Sequence, residues 1–163
     1  MNAVLTNIEK KRFYKKDLNI YQVLLSICEN WKRDYSFLNI KLDIPKELEY
    51  ELSEDVFTVI FDNLILNSVQ QNDQNKSLNI LIQISANSEY LLCKYSDDGI
   101  GLAQKYVSSP WKILEVHETS RDEGHGLGMW IVNNTCIDTG GEIRLIDGKN
   151  GFKIEFLIGG KHE

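Results

Sequence analysis

The stretch that most constrains this chain is residues 53–71. Val56, Phe57, Val59, Ile60, Phe61, Leu64, Ile65, Leu66 and Val69 recur at spacings that nearly surround a helix axis. A helix apolar on almost every side belongs in a core, so the rest of the chain must wrap around it. Its polar exceptions then carry information. At about 100° per residue, Asn63, Asn67 and Gln70 fall on one narrow stripe, with Val56 and Ile60 one or two turns earlier. A buried amide left unpaired costs about 1–3 kcal/mol. These side chains therefore either bond neighbouring strands or an internal water, or they coordinate something. An Asn carbonyl is a hard oxygen ligand of the kind Mg²⁺ accepts beside phosphates and waters.

The flanking pattern supplies the other layer. Residues 1–16 are polar and lysine-rich, and read as the tail of an upstream helical domain or a free arm. An amphipathic helix follows, capped by Asp17 or Asn19 and running to about Tyr35, with Ile20, Val23, Leu24, Ile27, Trp31 and Tyr35 on its buried face. Residues 39–44 alternate as a half-buried strand that Pro45 ends. Residues 78–85 and 90–96 predict a hairpin joined by Asn87-Ser88-Glu89, with Asp97 delivered at the end of the second strand. Residues 128–139 predict a helix stopped by Gly140-Gly141. Strands over 142–146 and 152–158 are joined by the turn Asp147-Gly148-Lys149-Asn150-Gly151. Between residues 102 and 123 the pattern weakens, and a mobile segment with a helical turn or two is expected. The natural assembly is α+β: a two-layer α/β sandwich with helices on one face of a mixed, mostly antiparallel sheet.

Bulk properties remove several function classes. A chain of 163 residues suits one domain, here residues 17–163. A net charge of −6 argues against non-specific nucleic-acid binding, and the basic run from Lys10 to Lys16 reads as a solvated linker. No run of about 18 apolar residues exists, so no membrane contact is expected of this segment. The charged N-terminus lacks the apolar core of a signal peptide. Cys28, Cys93 and Cys136 are odd in number and set among apolar residues, as buried thiols in a reducing compartment would be. His117, His125 and His162 lack zinc-ligand spacing. A cytoplasmic location follows as the expectation.

Two glycine clusters complete the picture. In Asp97-Asp98-Gly99-Ile100-Gly101, the first carboxylate suits either a short calcium loop or acceptance of a hydrogen bond from an exocyclic amino group such as adenine's. In the second case Gly99 and Gly101 would let the backbone approach the ring. Gly124, Gly126 and Gly128 are either loop punctuation or, ahead of a helix, backbone N–H groups at its positive end that form an anion site. No strand immediately precedes them as a dinucleotide fingerprint requires, and no P-loop run is present.

In this order the pieces resemble the ATP-binding catalytic domain of bacterial sensor histidine kinases, within the gyrase, heat-shock-chaperone, histidine-kinase and mismatch-repair ATPase superfamily. Phe61-Asp62-Asn63-Leu64-Ile65-Leu66-Asn67-Ser68 is similar to its N box, and Asp97-Asp98-Gly99-Ile100-Gly101 to its D-x-G-x-G box. Residues 113–121 sit where the F box is expected, with Leu114 and Val116 in place of its phenylalanine and proline. Gly124-His125-Gly126-Leu127-Gly128-Met129 resembles the second glycine box, and Gly140-Gly141-Glu142-Ile143-Arg144 the run after the final helix.

The resemblance, over about residues 18–160, implies a Bergerat-type sandwich with ATP and Mg²⁺ as cofactors. It implies that Asn67 holds Mg²⁺ with Asn63 beside it, and that Asp97 binds the adenine amino group above Gly99 and Gly101. Gly124, Gly126, Leu127 and Gly128 would meet the phosphates, Arg121 would add a cation, and residues 102–125 would form an ATP lid. The implied activity is γ-phosphoryl transfer to a histidine on a separate dimerisation and phosphoacceptor domain, and through it to a response regulator. No histidine precedes His117, so that acceptor is expected outside this chain, with an excised domain the favoured reading. Asn63 stands where hydrolytic members carry a glutamate, and an amide cannot act as general base. The alternatives are an ATP-gated binding module without transfer, or a slow ATPase.

Overall fold

The computed structural model describes residues 16–115 and 128–159. The first half comprises β1 (Lys16–Asn19), α1 (Ile20–Asp34), β2 (Leu38–Asp43), β3 (Glu49–Leu52) and α2 (Glu54–Gln71). The hairpin β4 (Leu78–Ala86) and β5 (Tyr90–Asp97) follows, then the short α3 (Gln104–Val107) and a 3₁₀ turn (Pro110–Leu114). The chain closes with α4 (Met129–Asp138), β6 (Glu142–Asp147) and β7 (Lys153–Gly159).

Local signals explain where the helices start. The Asn19 side chain accepts the Gln22 N–H at 2.9 Å, which makes Asn19 rather than Asp17 the cap of α1. The Ser53 hydroxyl accepts the Asp55 N–H at 3.3 Å, and Glu54 and Asp55 add negative charge where the dipole of α2 favours it. At the end of α4, Gly140 takes a positive φ of 91° and its N–H reaches the Ile137 carbonyl at 2.9 Å.

Five strands form one sheet in the order β2-β4-β5-β7-β6. The β2–β4 pair is parallel, because α2 intervenes as a crossover, and the other three pairs are antiparallel. Strand alternation sends Ile80, Ile82 and Ile84 of β4, Leu91, Cys93 and Tyr95 of β5, and Ile154, Phe156 and Ile158 of β7 into the core. The helices cover this face, with α2 packed against both α1 and α4. Phe57 and Phe61 stack at 6.0 Å, and Phe61 meets Phe156 of the sheet at the same centroid distance.

The strands β1 and β3 pair antiparallel, Lys16 opposite Leu52 and Asn19 opposite Glu49. The sequence pattern predicts neither, since four residues are too few for alternation to show. Residues 104–107 and 110–114 supply the helical turns expected after residue 102, and Ile113 is buried in the core. Cys28, Cys93 and Cys136 are free and buried, and burial pushes the Cys28 and Cys136 thiols up to about 12 and that of Cys93 well above its usual value. Such thiols stay protonated and inert at neutral pH. No helix of the described residues is long and apolar enough to cross a membrane.

Phe61 ties helix to sheet, so Phe61→Ala leaves a cavity between the layers. We expect a loss of about 3–5 kcal/mol, read in thermal unfolding as a midpoint lowered by roughly 10 °C.

Candidate functional site

The site begins at the end of β5. Period-two alternation that buries Leu91, Cys93 and Tyr95 also turns Asp97 inward, where it is 7% exposed. A carboxylate so far from water needs donors. Oδ1 accepts the Gly99 N–H at 3.0 Å and the Phe152 N–H at 3.1 Å. Oδ2 accepts the Ser68 hydroxyl of α2 at 2.6 Å. Ser68 Oγ in turn lies 2.7 Å from the Tyr95 hydroxyl, which reaches the Leu64 carbonyl at 3.2 Å. Burial holds the Tyr95 phenol well above its ordinary pKa, so that hydroxyl keeps its proton.

The adjacent Asp98 faces the other way. Its Oδ1 accepts the Asn79 backbone N–H at 2.9 Å and its Oδ2 the Asn79 amide at 2.7 Å. These bonds lower the Asp98 pKa. With the two carboxylates on opposite sides, and no group of three or more potential His, Cys, Asp or Glu metal ligands among the described residues, the calcium-loop alternative falls.

The glycines make room for side chains and loops of the protein itself. A Cβ on Gly99 would lie 2.1 Å from Asn72 Oδ1, because that amide accepts the Ile100 N–H at 2.8 Å and donates to the Ser68 carbonyl at 2.7 Å. Gly101 takes a φ of 79° and approaches the Gly148 carbonyl, which accepts the Leu102 N–H at 3.1 Å. This ties the loop after β5 to the β6–β7 turn.

Between α2, this loop and α4 lies a cavity of about 180 Å³. Asp97 and Ser68 form part of its wall with Asn67, Gln71 and Asn72, while Leu102, Ile113, Met129 and Phe152 supply apolar surface. Lys105 and Tyr106 of α3 also line it. An apolar slot with few convergent polar groups is the usual form of a small-molecule site.

The expected residues are distributed unevenly around it. Asn67, Asp97 and Gly101 line the cavity; Gly99, Asn63 and Gly128 are not among its lining residues. Asn67 Nδ2 is buried with no hydrogen-bond partner among the described residues, the polar orphan the stripe on α2 suggested. Asn63 instead donates to the Val59 carbonyl at 2.7 Å and packs where a Cβ on Gly128 would stand. Gly128 is the N-cap of α4, and no side chain among the described residues caps the first turn of that helix beside Met129. Arg121, Gly124, Gly126 and Leu127, with residues 1–15 and the later part of the expected lid, lie outside the described residues. Asp62 accepts the Trp31 indole N–H at 2.8 Å and does not line the cavity.

Sequence reasoning missed Ser68, Tyr95, Asn72 and Phe152. Ser68 was detectable as a hydroxyl beside Asn67 in an apolar helix, and Tyr95 as the residue two before Asp97 on the same strand face. Asn72 and Phe152 gave no local signal, since their roles rest on contacts to Ile100 and Asp97 across long stretches of chain.

Residues 53–159 match a family described as histidine kinase-, DNA gyrase B-, and HSP90-like ATPase. The sensor histidine kinase WalK of Bacillus subtilis (strain 168) is 28% identical over 123 residues, which take in 72% of this chain and 20% of that protein. This chain therefore spans about a fifth of that relative's length. The catalytic domain of histidine kinase ThkA, in a nucleotide-free form, superposes with a TM-score of 0.73 at 18% identity, over 91% of this chain and 97% of that one. The mycobacterial sensor histidine kinase MprB gives 0.71 at 15% identity, over 92% of this chain and all (100%) of the other. The architecture is that of histidine kinase catalytic domains.

The Asn72 amide holds the loop above the carboxylate from both its ends. Asn72→Ala should speed amide exchange at Ile100 by about tenfold or more, as expected for loss of roughly 1.5 kcal/mol of local protection, with protection in the centre of β5 unchanged.

Proposed function

This chain belongs to the histidine kinase-, DNA gyrase B-, and HSP90-like ATPase family, and from that premise we propose that it binds Mg·ATP and donates the γ-phosphoryl group to a histidine on a separate helical phosphoacceptor domain. A response regulator then takes the group from that histidine, in two-component signalling in the cytoplasm. The observation that carries this reading is a buried, donor-satisfied carboxylate in the wall of an apolar cavity that also touches Met129, the first residue of α4.

Each element has a role set by its chemistry. Asp97 accepts from the adenine amino group while Leu102, Ile113, Met129 and Phe152 exclude water from the faces of the ring. The N–H groups at the start of α4, with the backbone of Gly124, Gly126, Leu127 and Gly128, meet the phosphates, and Arg121 adds positive charge. The orphaned Asn67 amide fits a metal site, since turning about its last torsion offers the oxygen in place of the unpaired nitrogen. Bound Mg²⁺ neutralises charge on the phosphates. Asn63 accompanies Asn67 one turn away and steadies the entry to α4 through its contact with Gly128.

Transfer is favoured over hydrolysis because no carboxylate among the described residues is placed to activate water. Position 63 is an amide, the Asp62 carboxylate accepts from Trp31, and both Asp97 oxygens already hold donors. Phosphoryl transfer needs mostly positioning and charge neutralisation, so the acceptor histidine completes the reaction from its own domain. A second reading, an ATP-gated binding module without transfer, draws on Leu114 at the F-box phenylalanine position.

Asp97→Asn should weaken ATP binding by about 100-fold or more, through loss of a charge-assisted acceptor. Calorimetric titration measures this, and wild-type affinity in the variant would overturn the assignment. Incubating the chain with γ-labelled ATP, Mg²⁺ and a histidine-bearing helical domain should label that domain. A label that never leaves ATP selects the gated module, and steady phosphate release from the chain alone selects the ATPase.

A further inference from the structure

We infer that Ser68 and Tyr95 are positioning residues that aim one lone pair of Asp97 at the 6-amino group of a purine, and so set the preference of the cavity for that group. This rests on the proposed role of Asp97 and deepens it.

The argument is a count of protons and lone pairs. The Asp97 carboxylate offers about four acceptor positions. Oδ1 spends two on the backbone N–H groups of Gly99 and Phe152. Oδ2 spends one on Ser68, which leaves one acceptor position on a carboxylate that lines the cavity. Ser68 has a single hydroxyl proton, and at 2.6 Å it goes to the charged oxygen. The Tyr95 proton then turns toward Ser68 Oγ at 2.7 Å, with the Leu64 carbonyl a longer second acceptor at 3.2 Å. The chain runs one way: Tyr95 donates to Ser68, and Ser68 donates to Asp97.

This direction has two effects. Both hydroxyl protons are taken up by protein acceptors, so Asp97 and Ser68 offer only acceptors to a ligand at the shared wall. Such a wall pairs with an exocyclic amino group and opposes an oxo group at the same ring position. The second effect is on orientation. The backbone donors pin Oδ1 and the hydroxyl pins Oδ2, so the carboxylate cannot rotate its remaining lone pair away from the ligand. Both hydroxyl residues are buried, and each comes from a different element, α2 and β5, that the core already holds in place.

The test compares ATP with purine riboside triphosphate, which lacks the 6-amino group, by calorimetric titration of the full chain. Wild type should prefer ATP. Ser68→Ala should lower that preference about tenfold by weakening ATP alone, and Tyr95→Phe, which keeps the ring, about threefold. An unchanged preference in either folded variant overturns the role of its residue, and equal weakening of both nucleotides in Ser68→Ala reduces Ser68 to a structural part. Should Ser68→Ala not fold, Tyr95→Phe decides the matter by the same ratio. Asp97→Asn separates the two levels. Loss of the preference there, with wild-type preference in both hydroxyl variants, overturns this inference and leaves the Asp97 reading standing. A wild type that does not distinguish the two nucleotides overturns that reading itself.

Discussion

A carboxylate held almost out of water at the end of a core strand sets the terms for everything near it. Removing an ionised group from solvent costs several kcal/mol unless donors replace the lost water. Asp97 recruits them from three parts of the chain: its own loop at Gly99, Phe152 just before β7, and α2 at Ser68. The loop, the sheet and the central helix thus meet on one side chain. Moving any of the three leaves a buried charge short of a donor.

The same convergence explains why the cavity lies where it does. Strand β5 runs in the middle of the sheet between β4 and β7, so its end is bracketed by the Asn79–Asp98 clamp on one side and Phe152 on the other. Helix α2 lies across that end and brings Asn67, Ser68 and Asn72 over it within two turns. Apolar side chains from the loop, the 3₁₀ turn and α4 line other parts of its wall. Rigid elements therefore carry the polar groups, which is what a site that must orient a ligand needs.

Several polar residues in or near the cavity wall are held by other protein groups. Asn63 bonds backbone, Asn72 bridges a helix end and a loop, and Asp98 clamps a strand. Asn67 differs: its amide nitrogen is buried with no hydrogen-bond partner among the described residues. Family patterns name Asn63 and Asn67 together. Their hydrogen bonding separates them: Asn63 bonds its own helix, while the Asn67 nitrogen at the cavity wall has no partner among the described residues.

Much of the fold was legible along the chain because long elements repeat their pattern. The extents of α1, α2 and α4, the two hairpins and the placement of Asp97 at a strand end all follow from periodicity, caps and turn residues. The strands β1 and β3 were not, since four residues carry no period and their pairing joins residues 30 to 36 positions apart. At the site, Asn67 and Asp97 stood out as polar residues in apolar surroundings. Sequence by itself determined which long elements form and which polar residues interrupt apolar runs, because both depend on spacing within one element. Tertiary structure alone decided which amide is spent on backbone, and that Ser68 and Tyr95 form a one-way hydrogen-bond chain into Asp97. Hydrogen bonds between α2, β5 and β7 depend on how the layers stack, and spacing within a single element does not encode that distance.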